Sequence, residues 1–303
     1  MNRLGFSAVA PQRIEAPVRR RRPSAVAQRR ELEGKLTALQ KDYAELHAEM
    51  FEAAQIHRRL CAPRLVRCSQ FEIANEIFAV RHLAGDFFTV NERDGQVVLA
   101  LGDICGKGLA AAMWTSNLVG RVRFHSGMTS DPDRIVSEVN RDMCLTGELS
   151  PLASLFVARL DPVTGDLEYC SAGHPPAMLL RADGELELLS DGGLLLGVIP
   201  TASYSTGSVK LNSGDVLLAY SDGVIESRNG MEEEFGFARL ESQLRQANSL
   251  GGSAESLLFS VLAAVQDFAA THPLVDDLSL AVVRRDAGAL SESQSADRLH
   301  LFF

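Results

Sequence analysis

Leu101-Gly102-Asp103-Ile104-Cys105-Gly106-Lys107-Gly108 closes the apolar run Val97–Gly102 on one carboxylate, then on two glycines that bracket a lysine. A short apolar run bounded by glycine reads as a buried strand, so Asp103 stands at a strand end. The Gly106-Lys107-Gly108 triplet suggests a phosphate-cradling loop. However, the earlier glycine of a G-x4-G-K loop falls at Leu101 and no Ser or Thr follows Lys107, so that reading fails. Three further acidic positions share the same setting: Asp86 in Ala84-Gly85-Asp86-Phe87-Phe88, Asp222 in Tyr220-Ser221-Asp222-Gly223, and the pair in Val275-Asp276-Asp277-Leu278-Ser279. Hard divalent cations take carboxylate and carbonyl oxygens, and neighbouring glycines let backbone carbonyls approach. One Asp-Gly pair is an ordinary turn. Four such positions, each beside an apolar strand, point to a shared cation centre.

Around these positions the strand signals recur. They fall at Phe71–Val80, Phe87–Asn91, Val97–Gly102, Ser154–Asp161, Leu167–Ser171, Met178–Arg181, Glu185–Leu189, Ser208–Leu211, Val216–Tyr220 and Leu278–Arg284. Turn residues such as Asp94-Gly95, Asp183-Gly184 and Ser213-Gly214 lie between them. Helical spacing predicts helices over 107–126, 132–145, 237–247 and 253–270. Hairpins outnumber strand–helix–strand units, so antiparallel sheets with helices grouped on their faces are expected.

Before the strands, Leu32, Leu36, Leu39, Tyr43, Leu46, Met50 and Ala53 fall in a 4-3 rhythm, with His57 alone out of character. This predicts a coiled-coil helix over 29–62, ended by Pro63, and a homodimer through residues 31–60. Phe51 and Ile56 widen the apolar surface where the helix is expected to begin packing on the next domain. The first thirty residues hold eight arginines and one glutamate, whereas the 303-residue chain as a whole is −9. The acidic body argues against nucleic acid as a partner, and 1–28 reads as a basic disordered tail. Residues 63–286 form the main domain and 287–303 a polar tail, whose final Leu-Phe-Phe the pattern does not explain. No apolar run reaches the length of a membrane span. Five scattered cysteines without CxxC pairs suit a reduced, cytoplasmic chain. Cys61 and Arg67 satisfy C-x5-R, but Ala-Pro-Arg-Leu-Val between them is no glycine-rich phosphate loop. His174 in Ala172-Gly173-His174-Pro175-Pro176 reads either as a general acid or metal ligand, or as the pin of a proline turn.

From about Gln55 to Arg284 the chain resembles the SpoIIE-like/RsbU-like branch of the metal-dependent (PPM, type 2C) serine/threonine protein phosphatases. The marks, in order, are Gly85-Asp86-Phe87-Phe88, the 102–108 stretch, Ala172–Pro176, Leu196-Gly197, Tyr220–Glu226 and Asp276-Asp277-Leu278-Ser279-Leu280. The resemblance implies an α+β fold, a four-layer α-β-β-α sandwich of two antiparallel sheets flanked by helices. It also implies two Mn²⁺ or Mg²⁺ ions. Asp103 would bridge them with the Ile104 carbonyl as a further ligand, Asp86 would hold one ion, and Asp222 and Asp276 the other, with Asp277 beside Asp276. The implied reaction is direct hydrolysis of phosphoserine or phosphothreonine by an activated water. The implied substrate is a phosphorylated STAS-domain anti-anti-sigma protein in a partner-switching pathway. The alternative is a non-catalytic coiled-coil module that binds the same partner. Where the branch usually reads Gly-Gly-Asp-x-Tyr-Asp, this chain has Ala84-Gly85-Asp86-Phe87-Phe88-Thr89, and Thr89 is expected to remove an acidic group from the metal environment.

Overall fold

The computed structural model describes residues 25–61, 65–80, 82–147, 150–270, 272–286 and 300–302. Residues 1–24 of the expected tail, Pro63, and most of the 287–303 tail lie outside them; residues 25–28 already belong to the first helix. Helix α1 (Ala25–Cys61) precedes strands β1 (Leu65–Cys68), β2 (Phe71–Phe78), β3 (Phe87–Arg93) and β4 (Gln96–Ile104). Helices α2 (Leu109–Met128) and α3 (Pro132–Leu145) follow. Next come β5 (Ala153–Leu160), β6 (Asp166–Ala172), β7 (Ala177–Leu180), β8 (Leu186–Leu189), β9 (Gly192–Gly193), β10 (Gly207–Lys210) and β11 (Val216–Tyr220). Helices α4 (Asp222–Glu226), α5 (Gly236–Ser249) and α6 (Ala254–Ala269) lead to β12 (Leu278–Arg285) and β13 (His300–Phe302).

The strands form two sheets, ordered β13-β1-β2-β12-β11-β7-β8 and β10-β6-β5-β4-β3. Nearly every pairing is antiparallel; the exception is a two-residue parallel pairing of β9 with β6. Alternation along each strand divides the apolar residues between two faces. Phe88, Val90, Leu99, Leu101, Phe156, Ala219 and Ala281 meet between the sheets. Tyr220, Leu278, Leu280 and Val282 face outward onto α5 and α6, while Phe87, Val98, Ala100, Leu155 and Val157 face α2 and α3. The result is the four-layer sandwich that the family resemblance implies, and it agrees with the antiparallel sheets expected from the hairpin count.

Four elements escape the strand and helix patterns: β1 is only four residues long, β9 is a two-residue Gly-Gly pairing, α4 lies inside the Tyr220–Glu226 motif, and β13 turns part of the unexplained C-terminal Leu-Phe-Phe into an edge strand paired with β1. Among the described residues, no helix is long and apolar enough to cross a membrane.

The chain divides into two compact units, Met1–Glu49 and Met50–Phe303. In the first, the seam residues Leu32, Leu36, Leu39, Tyr43 and Leu46 are all exposed. In the second, the end of α1 buries His57 and Cys61, while Phe51 and Ile56 stay exposed. This corrects the sequence reading of how the helix docks. The docked face is the 4-3 continuation Ala54, His57, Cys61, and the two larger apolar side chains lie off it. His57 is out of character in a coiled coil because here it is an interior residue, and burial lowers its pKa.

Candidate metal centre

The acidic residues sit where strand ends from both sheets meet. Asp103 occupies the next-to-last position of β4, paired with Ser154 on β5, and Asp86 immediately precedes β3. Asp222 opens α4 directly after β11, and Asp276-Asp277 lead into β12. Alternation sets Asp103 on the same inward face as Leu99 and Leu101, and Ser279 on the same inward face as Ala281. The open end of the sandwich interior therefore collects the carboxylates.

Asp86 is fully buried and accepts a hydrogen bond from the Ser279 hydroxyl. Burial first, and the neighbouring Asp103 second, raise its pKa well above the usual carboxylate range. Burial also lifts Asp103, to about 7; its hydrogen bond with Asp86 works against that, and the charges of Asp222, Asp276 and Asp277 reinforce it. Asp222 is raised by burial and then by Asp276. These are carboxylates crowded together with one ammonium, that of Lys107, beside them, which is the electrostatic setting of a cation site.

The donor set fits a hard cation. A Cβ built on Gly85 would lie 3.3 Å from Asp103 Oδ1, 3.4 Å from the Ile104 carbonyl and 3.6 Å from the Gly106 carbonyl, so three oxygens line the space a side chain would fill. The Ile104 side chain is buried with α2, leaving its carbonyl for this cradle. Among the described residues, no three acidic, histidine or cysteine side chains stand close enough to hold one ion by themselves. Backbone carbonyls and water complete such a shell, as is common for Mg²⁺.

Asp277 plays a different part from the one its position implies. Its two oxygens accept from the Val80 amide at 2.8 Å and the Gly85 amide at 2.7 Å, which makes it the clamp of the 80–85 loop rather than a free donor. Thr115 on α2 anchors the same loop, donating at 2.7 Å to the Gly85 carbonyl. Ser221 Oγ accepts from the Ser279 amide at 3.0 Å and ties β11 to β12 beside Asp222. Sequence spacing missed Ser279, Ser221 and Thr115, because a single hydroxyl bonded to a carboxylate or to backbone leaves no periodic signature.

The other candidate chemistries lose their basis. Cys61 is buried, its thiol pushed up to about 12, with Sγ 3.6 Å from His57 Nε2, and Arg67 is paired with Glu72 at 3.0 Å. A protonated thiol and an engaged guanidinium make no phosphate loop. His174 Nδ1 lies 2.7 Å from the Ser154 hydroxyl, and burial lowers the ring to about 3, so it stays neutral and pins the proline turn. Thr89 is buried on the face of β3 that carries Phe87 and looks toward α2, not toward Asp86. The expectation that it belongs to the metal environment is therefore corrected. Thr89→Asp is expected to cost about 2 kcal/mol by burying a carboxylate without a partner. It should leave the metal concentration for half-maximal activity unchanged; a shifted metal titration would return position 89 to the site.

With this geometry in place, comparison with known proteins is decisive. Residues 93–286 match the family model of Stage II sporulation protein E (SpoIIE). The chain belongs to this family. Its members and relatives are PP2C-type serine/threonine phosphatases of the RsbU/SpoIIE type, a metal-dependent class. The chain is 27% identical to Protein IcfG of Synechocystis over 65% of its own length and 35% of that protein. It is 25% identical to Phosphoserine phosphatase RsbU of Bacillus subtilis over 80% of its own length and 71% of RsbU. It thus spans about a third of one relative and most of the other. The fold is similar to that of the SiaA-PP2C domain of Pseudomonas aeruginosa, with a TM-score of 0.70 at 17% identity, covering 81% of this chain and 99% of that one. RsbX, solved in complex with magnesium, matches at a TM-score of 0.55 and 16% identity, covering 73% of this chain and 98% of RsbX.

Proposed function

We propose that this chain hydrolyses phosphoserine or phosphothreonine on a protein partner. The centre would hold two Mn²⁺ or Mg²⁺ ions on Asp86, Asp103, the Ile104 carbonyl, Asp222 and Asp276. The observation that carries this reading is the convergence of Asp103 Oδ1 and the Ile104 and Gly106 carbonyls on the space beside the bare Cα of Gly85, next to the buried Asp86. Divalent ions bound there supply an activated water at neutral pH and offset the charge on phosphoryl oxygens. Asp103 stands in the middle of the cluster, within the field of Asp222, Asp276 and Asp277 and hydrogen-bonded to Asp86, the position a shared ligand requires. Ser279 fixes the orientation of Asp86, and Asp277 with Thr115 holds Gly85 in place.

The family resemblance makes a phosphorylated STAS-domain anti-anti-sigma protein the substrate of choice in a cytoplasmic partner-switching pathway. The chain would act as a homodimer through residues 31–60. The test is phosphate release from such a phosphoprotein by the full chain, with manganese and then with a chelator. Turnover that needs the metal supports the enzyme. Tight binding of the phosphoprotein without phosphate release in manganese would replace it with a non-catalytic binding module.

A further inference from the structure

Lys107 brings a positive charge to one side of the acidic cluster. Its Nζ lies 2.7 Å from Asp276 Oδ2 and donates at 2.7 Å to the Val275 carbonyl. One ammonium thus ties the loop that follows Ile104 to the loop that precedes β12. Gly106 at φ 141° and Gly108 at φ 78° flank it in conformations that L side chains rarely adopt, so the chain path that delivers Lys107 to Asp276 needs both glycines. Asp222 and Asp277 also feel this ammonium, whereas the neighbours that act on Asp86 are Asp103, Asp277 and the Ser279 hydroxyl. The lysine that resembled part of a phosphate loop is instead the counter-charge of one half of the site.

We propose that Lys107 competes with a divalent cation for Asp276: the ammonium holds that carboxylate in the metal-free protein and must leave its oxygen when a cation takes it. This rests on reading the cluster as a metal centre. A divalent ion and an ammonium on one carboxylate oxygen repel strongly, since the two like charges lie within a few ångströms. The pair is also two-fifths exposed on each side, so separating it carries only the small cost of a surface ion pair. Lys107 therefore sets metal affinity below what the carboxylates alone would give, and it spares the metal-free protein part of their mutual repulsion.

The experiment is calorimetric titration of Mn²⁺ into the metal-stripped full chain, as wild type, Lys107→Met, Lys107→Arg and Asp276→Asn, with a thermal melt of each metal-free protein. Lys107→Met is expected to bind Mn²⁺ roughly tenfold more tightly and to melt about 3 °C lower without metal. Lys107→Arg should keep the wild-type affinity because it keeps the charge, and Asp276→Asn should lose the affected ion. Unchanged or weaker Mn²⁺ binding by Lys107→Met, with wild-type binding intact, overturns the competition and leaves the metal centre standing. A wild-type chain that takes up no Mn²⁺ overturns the metal centre itself and the competition with it.

Discussion

Asp103→Ala is expected to abolish metal-dependent phosphate release while the chain stays folded. The loss should exceed the roughly 10²–10³-fold that one missing transition-state donor costs, because this carboxylate is the proposed shared ligand of both ions. Without metal the same variant should be more stable than wild type, since it removes one of the crowded carboxylates. The sign of the pH dependence follows from the raised pKa values. Asp103, at about 7 in the folded chain against an ordinary 3.8, contributes stability that is fully present below about pH 4 and lost as pH rises through 7. Asp86 acts in the same direction. Metal-free wild type should therefore lose stability between about pH 4 and 7 in urea melts, and Asp103→Ala should show a flatter profile. Metal affinity runs the opposite way and strengthens with pH, because a cation needs the carboxylates ionised. Near-wild-type turnover by the variant in manganese would dismiss Asp103 as a ligand. A wild-type stability that ignores pH over this range would dismiss the raised pKa of Asp103.

Much of this centre was legible before any coordinates, because strand ends announce themselves. The run from Val97 stops at Gly102-Asp103, and the run from Val216 stops at Ser221-Asp222. What spacing cannot reveal is contact across 190 or so residues: the Gly85 amide meets the Asp277 carboxylate only after both sheets form. Asp276 and Asp277 were therefore indistinguishable in sequence, and the hydrogen bonds to Val80 and Gly85 separate them. Thr89 shows the reverse error. Motif comparison drew it into the site, although Phe88 beside it points into the inter-sheet core and strict alternation sends Thr89 the other way. β1 stayed hidden because four residues carry too little alternation to register, and α4 because its five residues lie within a motif read for its carboxylate.

Replacing Leu39 and Leu46 together with aspartate is expected to convert a dimer into a monomer. In a single chain the seam is exposed: Leu32 by 66%, Leu36 by 56%, Leu39 by 65%, Tyr43 by 66% and Leu46 by 59%. Five large apolar side chains in a 4-3 stripe are more than a solvated helix needs, and helices in proteins draw most of their stability from packing such a face. The helix's own ion pairs, Arg29–Glu33, Lys35–Glu31 and Lys41–Glu45, are highly exposed and add little to its stability. A second copy of the same stripe would bury these residues at each a and d position. Two aspartates per chain would put four unpaired carboxylates in that seam, each costing several kcal/mol, enough to dissociate it at any practical concentration. The same helix ends on His57 and Cys61, which line a cavity of about 570 Å³ together with Ala84 and Asp86. Loosening the helix should therefore reach the 84–86 turn and lower turnover in the monomer. Sedimentation that shows an unchanged oligomer would eliminate the coiled coil. A clean monomer with wild-type kinetics would keep the coiled coil and remove its control over the centre.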